Sequence, residues 1–414
     1  MLNLIVARVI ATDNLEDSLS ERSAMKPGVR ALGVAAVFLV VTTRVLAQEV
    51  EVDFSACQGM SEVLEAMHNC ASLESVSRRL DALLDTRPYQ MMFKHYNRSW
   101  RPNHLPKPVF KRMILSLRFE GEYTPGENSR ADSMLKQWKG FYRDPSRYRE
   151  RLRALEAVDL RTLIADGIRY AQGWLPPEWK IPGFYLPVIP NGGSPAFAIE
   201  GTQGFDFLQL PLTPSGGLDL EWLVATISHE SNHLGLRPTT PESLTQAEKV
   251  AYRVVSFCVA EGVATEFISG PPPGRVPAIP GARFHIFDAD MTRAWNERVA
   301  EEAQIVDHLA SQLDRATSGA LTAEGFDGDL RDYWLSGSIG RAYVLGSEIF
   351  GAIDTAFGKE AVFTAMRDPR RMFGLYNAAL DAELQALSHC IRIPEKTVQQ
   401  AMAIGNRTTS PARD

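Results

Sequence analysis

The chain has 414 residues, a formal charge of −6 at pH 7 and 45% hydrophobic residues. That length and apolar content suit a globular chain of one or two domains. The mild acidity gives no reason to invoke nucleic acid, and no lysine–arginine block argues for a membrane surface.

From Met25 the sequence reads Lys26-Pro27-Gly28-Val29-Arg30, then an apolar run from Ala31 to Val41, then Val45-Leu46-Ala47 before Gln48. This is the charged, apolar and small-residue order of a secretory signal peptide over 25–47. The apolar run is short for a membrane span. Residues 1–24 then read as an upstream extension from a misassigned start. The mature chain is expected to begin near Gln48, secreted or periplasmic, with no stable membrane insertion after cleavage. An oxidising compartment permits two disulfides among Cys57, Cys70, Cys258 and Cys390. Cys57–Cys70 is the easiest pair in sequence, which leaves Cys258 and Cys390 to pair; a free, buried Cys258 is the other reading.

Residues 48–180 read as a helical N-terminal region, with helices expected over 73–84, 131–141 and 148–170. The cluster Tyr96, Arg98, Trp100, Arg101 and His104 mixes basic and aromatic residues and reads as a loop. Pro176-Pro177 and Ile181-Pro182-Gly183 break the helical pattern, and a second region is expected over 181–404. Phe184–Ile189 and Phe205–Leu210 read as strands. Asp206 and Gln209 interrupt the second of them, as on a half-exposed edge along which an extended substrate can lie. Asn191-Gly192-Gly193-Ser194-Pro195 reads as the turn between them.

Leu218, Leu220, Leu223, Val224, Ile227 and Leu234 recur at helical spacing, which predicts a helix over about 218–234. Asp219 is the expected N-cap and Gly235 the expected C′ glycine. Within that helix His229-Glu230-Ser231-Asn232-His233 spells HExxH. Histidines at i and i+4 share one helix face and can hold one Zn²⁺, with the intervening glutamate beside the metal-bound water. Such a site needs a third protein ligand. The variant with a nearby third histidine is absent, since position 239 is Thr239. A second helical stretch is expected over 242–268. It carries Glu261, the preferred ligand, and Glu266, the competing one. Gly262 and Ala264 are expected to let the two metal helices approach closely. A proline-rich loop, Gly270 to Gly281, follows. The chain then reads as helical from Asp288 to about Leu387, and residues 405–414 as a disordered tail.

HExxH followed one helix later by Glu261-Gly262-Val263-Ala264 resembles the gluzincin branch of zinc metallopeptidases. More narrowly, it resembles an uncharacterised group of predicted bacterial zinc-dependent peptidases. In that group a late Y-x-x-G segment followed by a second glycine recurs, here Tyr343-Val344-Leu345-Gly346 and Phe357-Gly358. The resemblance covers roughly residues 200–380. It implies an α+β, predominantly helical fold: a zincin-like catalytic core with a short antiparallel sheet, the HExxH helix and an antiparallel glutamate-ligand helix. It also implies a Zn²⁺ cofactor, a peptide or protein substrate, Glu230 as general base, and Tyr343 as donor to the oxyanion. The Asn-Glu-x-x-Ser-Asp form of the second helix is missing, which leaves open what orients the histidines. Two other readings stand beside the peptidase: a catalytically inactive zincin-like binding or structural protein, and a zinc hydrolase of a non-peptide bond.

Overall fold

A computed structural model of the chain describes residues 49–98, 104–270, 289–337 and 339–406. The expected extension 1–24, the signal segment 25–47, the proline-rich loop after Gly270 and the tail beyond Asn406 lie outside the described residues. Those described are predominantly helical, with one four-stranded sheet. Strand β1 (Val50–Asp53) is followed by helices α1 (Ser55–His68), α2 (Leu73–Leu84), α3 (Arg87–Tyr96), α4 (Lys107–Leu115), α5 (Ser129–Arg143), α6 (Pro145–Glu156) and α7 (Leu160–Gly173). Strands β2 (Phe184–Ile189), β3 (Ala196–Ile199) and β4 (Thr202–Asp206) come next. The remaining helices are α8 (Leu220–Gly235), α9 (Gln246–Ala264), α10 (Ala289–Ala300), α11 (Glu302–Thr317), α12 (Ala323–Asp329), α13 (Arg341–Phe357), α14 (Lys359–Arg367), α15 (Met372–Ala382) and α16 (Glu395–Ala403). One large apolar core reaches from Val50 to Ile404. Among the described residues no helix is long and apolar enough to cross a membrane.

The expected helix over 148–170 is two helices. After α6 ends, Asp159 caps α7 by accepting from the Thr162 amide at 3.2 Å. An aspartate that competes for backbone donors favours a cap over a helix interior, so the leucine periodicity on both sides belongs to separate helices.

The sheet is mixed rather than antiparallel, in the order β1-β2-β4-β3. Strand β2 runs parallel to β1, with Val50 opposite Phe184, and parallel to β4, with Val188 opposite Phe205. Strand β3 is antiparallel to β4. Every residue of β2 is buried, as an uninterrupted apolar run predicts for an interior strand. The hairpin joins β3 to β4 through Glu200 and Gly201, whose φ values of +46° and +71° suit a primed two-residue turn. The short Ala196–Ile199 run is therefore the edge strand, and it packs beside α8.

Asp206 is not at a half-exposed edge; it is fully buried. Its carboxylate accepts from the amides of Asn191, Gly192 and Leu208 and from Gln209 Nε2. It thus ties the 191–195 loop to the end of β4. Burial raises its pKa to about 7, against the pull of those donors.

No cysteine is bridged. Cys57 sits at the start of α1, buried, with Sγ donating to the Val188 carbonyl at 3.3 Å. Cys70 is exposed just beyond the other end of that helix. Helix ends this far apart are ~20 Å distant, well outside disulfide reach. Cys258 is buried in the interior of α9, and Cys390 is half-buried.

Candidate metal centre

Helix α8 begins as its sequence predicts. Asp219 accepts from the Trp222 amide at 2.9 Å and caps the first turn. The helix is then held from two sides. On β4, Gln203 donates from Nε2 to the Ile227 carbonyl at 2.6 Å and accepts from Ser231 Oγ at 3.0 Å. On α7, Gly167 allows a close crossing, because a Cβ there would lie 2.2 Å from Ser228 Oγ. Gly235 does not terminate the helix by a left-handed turn: it is the last helical residue, and Leu236 follows at φ −66°. Its missing side chain makes room instead for Leu175, whose Cδ1 would stand 2.2 Å from a Cβ.

Helix α9 starts with a capping box, Thr245 and Glu248 satisfying each other's backbone amides. Its Gly262 is not the contact to α8 expected from sequence. It faces α13, where a Cβ would come within 2.7 Å of the Gly346 Cα. The helix then widens into a π-turn over Thr265–Ser269, all five residues buried, and closes at Gly270 with φ +62°. Such turns recur at functional sites.

The two helices bring His229, His233 and Glu261 together, with one donor atom from each lying within 4.8 Å of the others. The Nε2 atoms of both histidines stand 3.4 Å from Glu261 Oε2. The two rings are nearly perpendicular, with centroids 4.8 Å apart. Although both imidazoles face it, Glu261 Oε2 is buried without a hydrogen-bond partner. A distance of 3.4 Å is long for an N–H···O bond. It matches the ~3.4 Å that separates ligand atoms held ~2.1 Å from a tetrahedral zinc ion. The donor set therefore fits the metal: two imidazole nitrogens and a carboxylate oxygen aimed at one point.

Electrostatics agree with that arrangement. Burial by itself would raise the pKa of Glu261, but the His233 and His229 imidazoles beside it hold the carboxyl far below its ordinary range. Burial would likewise lower His233, yet the Glu261 carboxylate drives its pKa up to about 9. The buried carboxylate is thus held as an anion by the imidazoles that face it. His229 Nδ1 lies 2.7 Å from Ser269 Oγ in a buried contact. With its proton on Nδ1 and donated to Ser269, His229 presents the Nε2 lone pair to the site. Ser269 is the residue that meets the far nitrogen of the His229 ring, a contact that the sequence left open. The only hint of it was a polar residue closing the apolar run Phe267-Ile268.

The competing Glu266 points elsewhere. It is buried against α13 and accepts a short hydrogen bond from Ser347 Oγ. Burial, with Asp354 and Glu348 nearby, raises its pKa to about 7. Among the described residues it does not join the metal-binding group. Glu230 is half-buried on α8. Tyr343 is half-buried on α13, its ring packed on a satellite cluster of Trp295, Ile339 and Val344.

Two imidazoles and a carboxylate, with a second glutamate adjoining the first histidine, form the donor set of the zinc-dependent hydrolases. Helix α8 packs on β3 and β4 of the small mixed sheet, and α9 packs against α8, α11 and α13 within a mainly helical body. Residues 80–383 match the family described as "putative zinc dependent peptidase (DUF5700)", and the chain belongs to that family. The matched span contains all three converging residues and Glu230. No curated protein and no solved structure matches the chain.

Proposed function

We propose that this chain is a zinc-dependent peptidase with a zincin-like core, in which His229, His233 and Glu261 hold the metal and Glu230 is the general base. The observation that carries the reading is the convergence of both Nε2 atoms, 3.4 Å away, on the buried Glu261 Oε2. Held by these three residues, zinc would supply Lewis acidity toward the attacking water and the scissile carbonyl. Glu230, next to His229 on the same helix, takes the proton of the attacking water and hands it to the leaving amine. Ser269 fixes the tautomer and tilt of His229. Tyr343 is the proposed donor to the oxyanion. It lies one turn before Gly346, and Gly346 touches Gly262, the neighbour of Glu261. Export follows in this reading from the segment 25–47, and mass spectrometry of the exported chain would find its first residue near Gln48.

The experiment is metal analysis of the purified chain joined to an unbiased peptide-library digest. The reading expects about one zinc per chain, lost in His229→Ala and in His233→Ala, and peptide cleavage that disappears with the metal. A chain that binds zinc and cuts no peptide would favour the non-catalytic or non-peptide alternatives. A chain that binds no zinc would end the reading.

A further inference from the structure

Helix α7 contributes no metal ligand, yet it touches both segments that do. Its Gly167 lies against Val224 and Ser228 of α8. One turn later, Tyr170 donates from its hydroxyl to the Phe267 carbonyl at 2.9 Å. Trp174, the residue after α7, stacks on the Phe267 ring with centroids 3.9 Å apart and planes 8° from parallel. The Lys359 ammonium lies over the same indole, 4.6 Å from its centre. Phe267 is the middle residue of the π-turn Thr265–Ser269 that follows α9. Its carbonyl is among the last four of that helical run, which have no partner within the helix. The Tyr170 hydroxyl supplies one.

The π-turn matters because of where it points Ser269, which stands eight residues beyond Glu261. At 3.6 residues per turn, that separation would leave the two side chains about 80° apart around the helix. A π-turn closes on i→i+5 bonds and so rotates less with each residue. It swings Ser269 back toward the face that carries Glu261, and both then meet one imidazole. Glu261 Oε2 is 3.4 Å from His229 Nε2, and Ser269 Oγ is 2.7 Å from His229 Nδ1. Wide turns of this kind are rare, and α7 grips this one at its middle residue. We propose that Tyr170 is a positioning residue of the metal centre: its hydroxyl, together with the Trp174 ring, holds the π-turn in the register that lets Ser269 reach His229. The inference rests on the zinc reading of the same site and adds the element that sets the tilt of its first ligand. A hydroxyl that only capped a helix end would stabilise the fold, and its effect on the metal would not depend on Ser269.

The test is a double-mutant cycle in the full chain, Tyr170→Phe against Ser269→Ala, with two readouts. Competition with a chelator gives the Zn²⁺ affinity, and Co²⁺ bound in place of zinc reports ligand geometry through its visible absorption. Tyr170→Phe alone should weaken zinc by ~10-fold, the low end for residues that orient a metal ligand. It should also alter the Co²⁺ spectrum in the same direction as Ser269→Ala. In the Ser269→Ala background it should weaken zinc by less than ~2-fold, because the path from Tyr170 to the metal is already cut. Trp174→Leu removes the stack and should show the same dependence on Ser269, which keeps the inference open to refutation even where Tyr170→Phe does not fold. A ~10-fold loss from Tyr170→Phe in both backgrounds would overturn the inference, since Tyr170 would then act without Ser269. Unchanged affinity and an unchanged spectrum in Tyr170→Phe would overturn it as well, and leave the zinc reading standing. A parent chain that binds neither Zn²⁺ nor Co²⁺ would end both.

Discussion

Glu261 and Glu266 stand five positions apart on one continuous helical segment, and their surroundings are opposite. Glu261 looks toward α8, where two imidazoles keep it ionised against the cost of burial. Glu266, one π-turn later, looks toward α13, where it meets a serine hydroxyl and other carboxylates and its pKa climbs to about 7. Both are buried acids in an apolar helix, so burial does not tell them apart. What separates them is the charge that each faces. An uncompensated carboxylate in a protein interior neutralises itself by taking a proton, whereas one aimed at cationic partners stays charged. The α8 side is built to hold positive charge, and the α13 side is built for packing.

The widest separation between the two sides is expected in turnover. Glu230→Gln keeps the shape of α8 and removes the proposed base, so kcat should fall by at least ~10²-fold with zinc content unchanged. Steady-state kinetics beside metal analysis checks it, and undiminished turnover would sink the mechanism. Ser269→Ala should follow, weakening zinc affinity by ~10- to 100-fold because His229 loses its orienting partner. Competition against a chelator measures that, and an unchanged affinity would return Ser269 to a packing role. Gly262→Ala probes the α13 side. A Cβ placed 2.5 Å from the Gly346 carbonyl carbon forces the helices apart, and overpacking of this kind costs about 1–3 kcal/mol in denaturant unfolding.

Glu266→Gln should have the smallest effect, and one that depends on pH. A carboxyl whose pKa rises on folding stays protonated in the native state while the unfolded chain releases the proton. The parent therefore loses stability as pH climbs from near 4.5, the ordinary value, to about 7, the folded one. Glutamine keeps an acceptor for Ser347 and does not titrate. The Tm of Glu266→Gln should accordingly rise relative to the parent between pH 5 and pH 8. A difference that stays flat with pH would show that Glu266 is ionised in the fold.

Much of this contrast was legible in the sequence, and its limits have physical causes. HExxH spacing on an apolar helix, the Asp219 cap and a glutamate one helix later are local patterns, and the structure brings His229, His233 and Glu261 to one point. Gly262 was legible as a close-approach residue, but not its partner, since periodicity says that a face is crowded and not by what. The mixed sheet was lost because β1 and β3 are four residues each, too short for alternation to register. Asp206 read as an edge residue because a polar side chain in a strand ordinarily faces water; here four donors satisfy it inside. Ser269 meets His229 from a π-turn, a position that carries no motif.

The most direct measurement is zinc per chain by elemental analysis in three proteins, the parent, Glu261→Ala and Glu266→Gln, each purified without chelator and shown to be folded. The account predicts about one zinc in the parent, close to none in Glu261→Ala, and the parent value in Glu266→Gln. Full zinc in Glu261→Ala, or its loss in Glu266→Gln, would contradict the assignment of the metal to the α8 side.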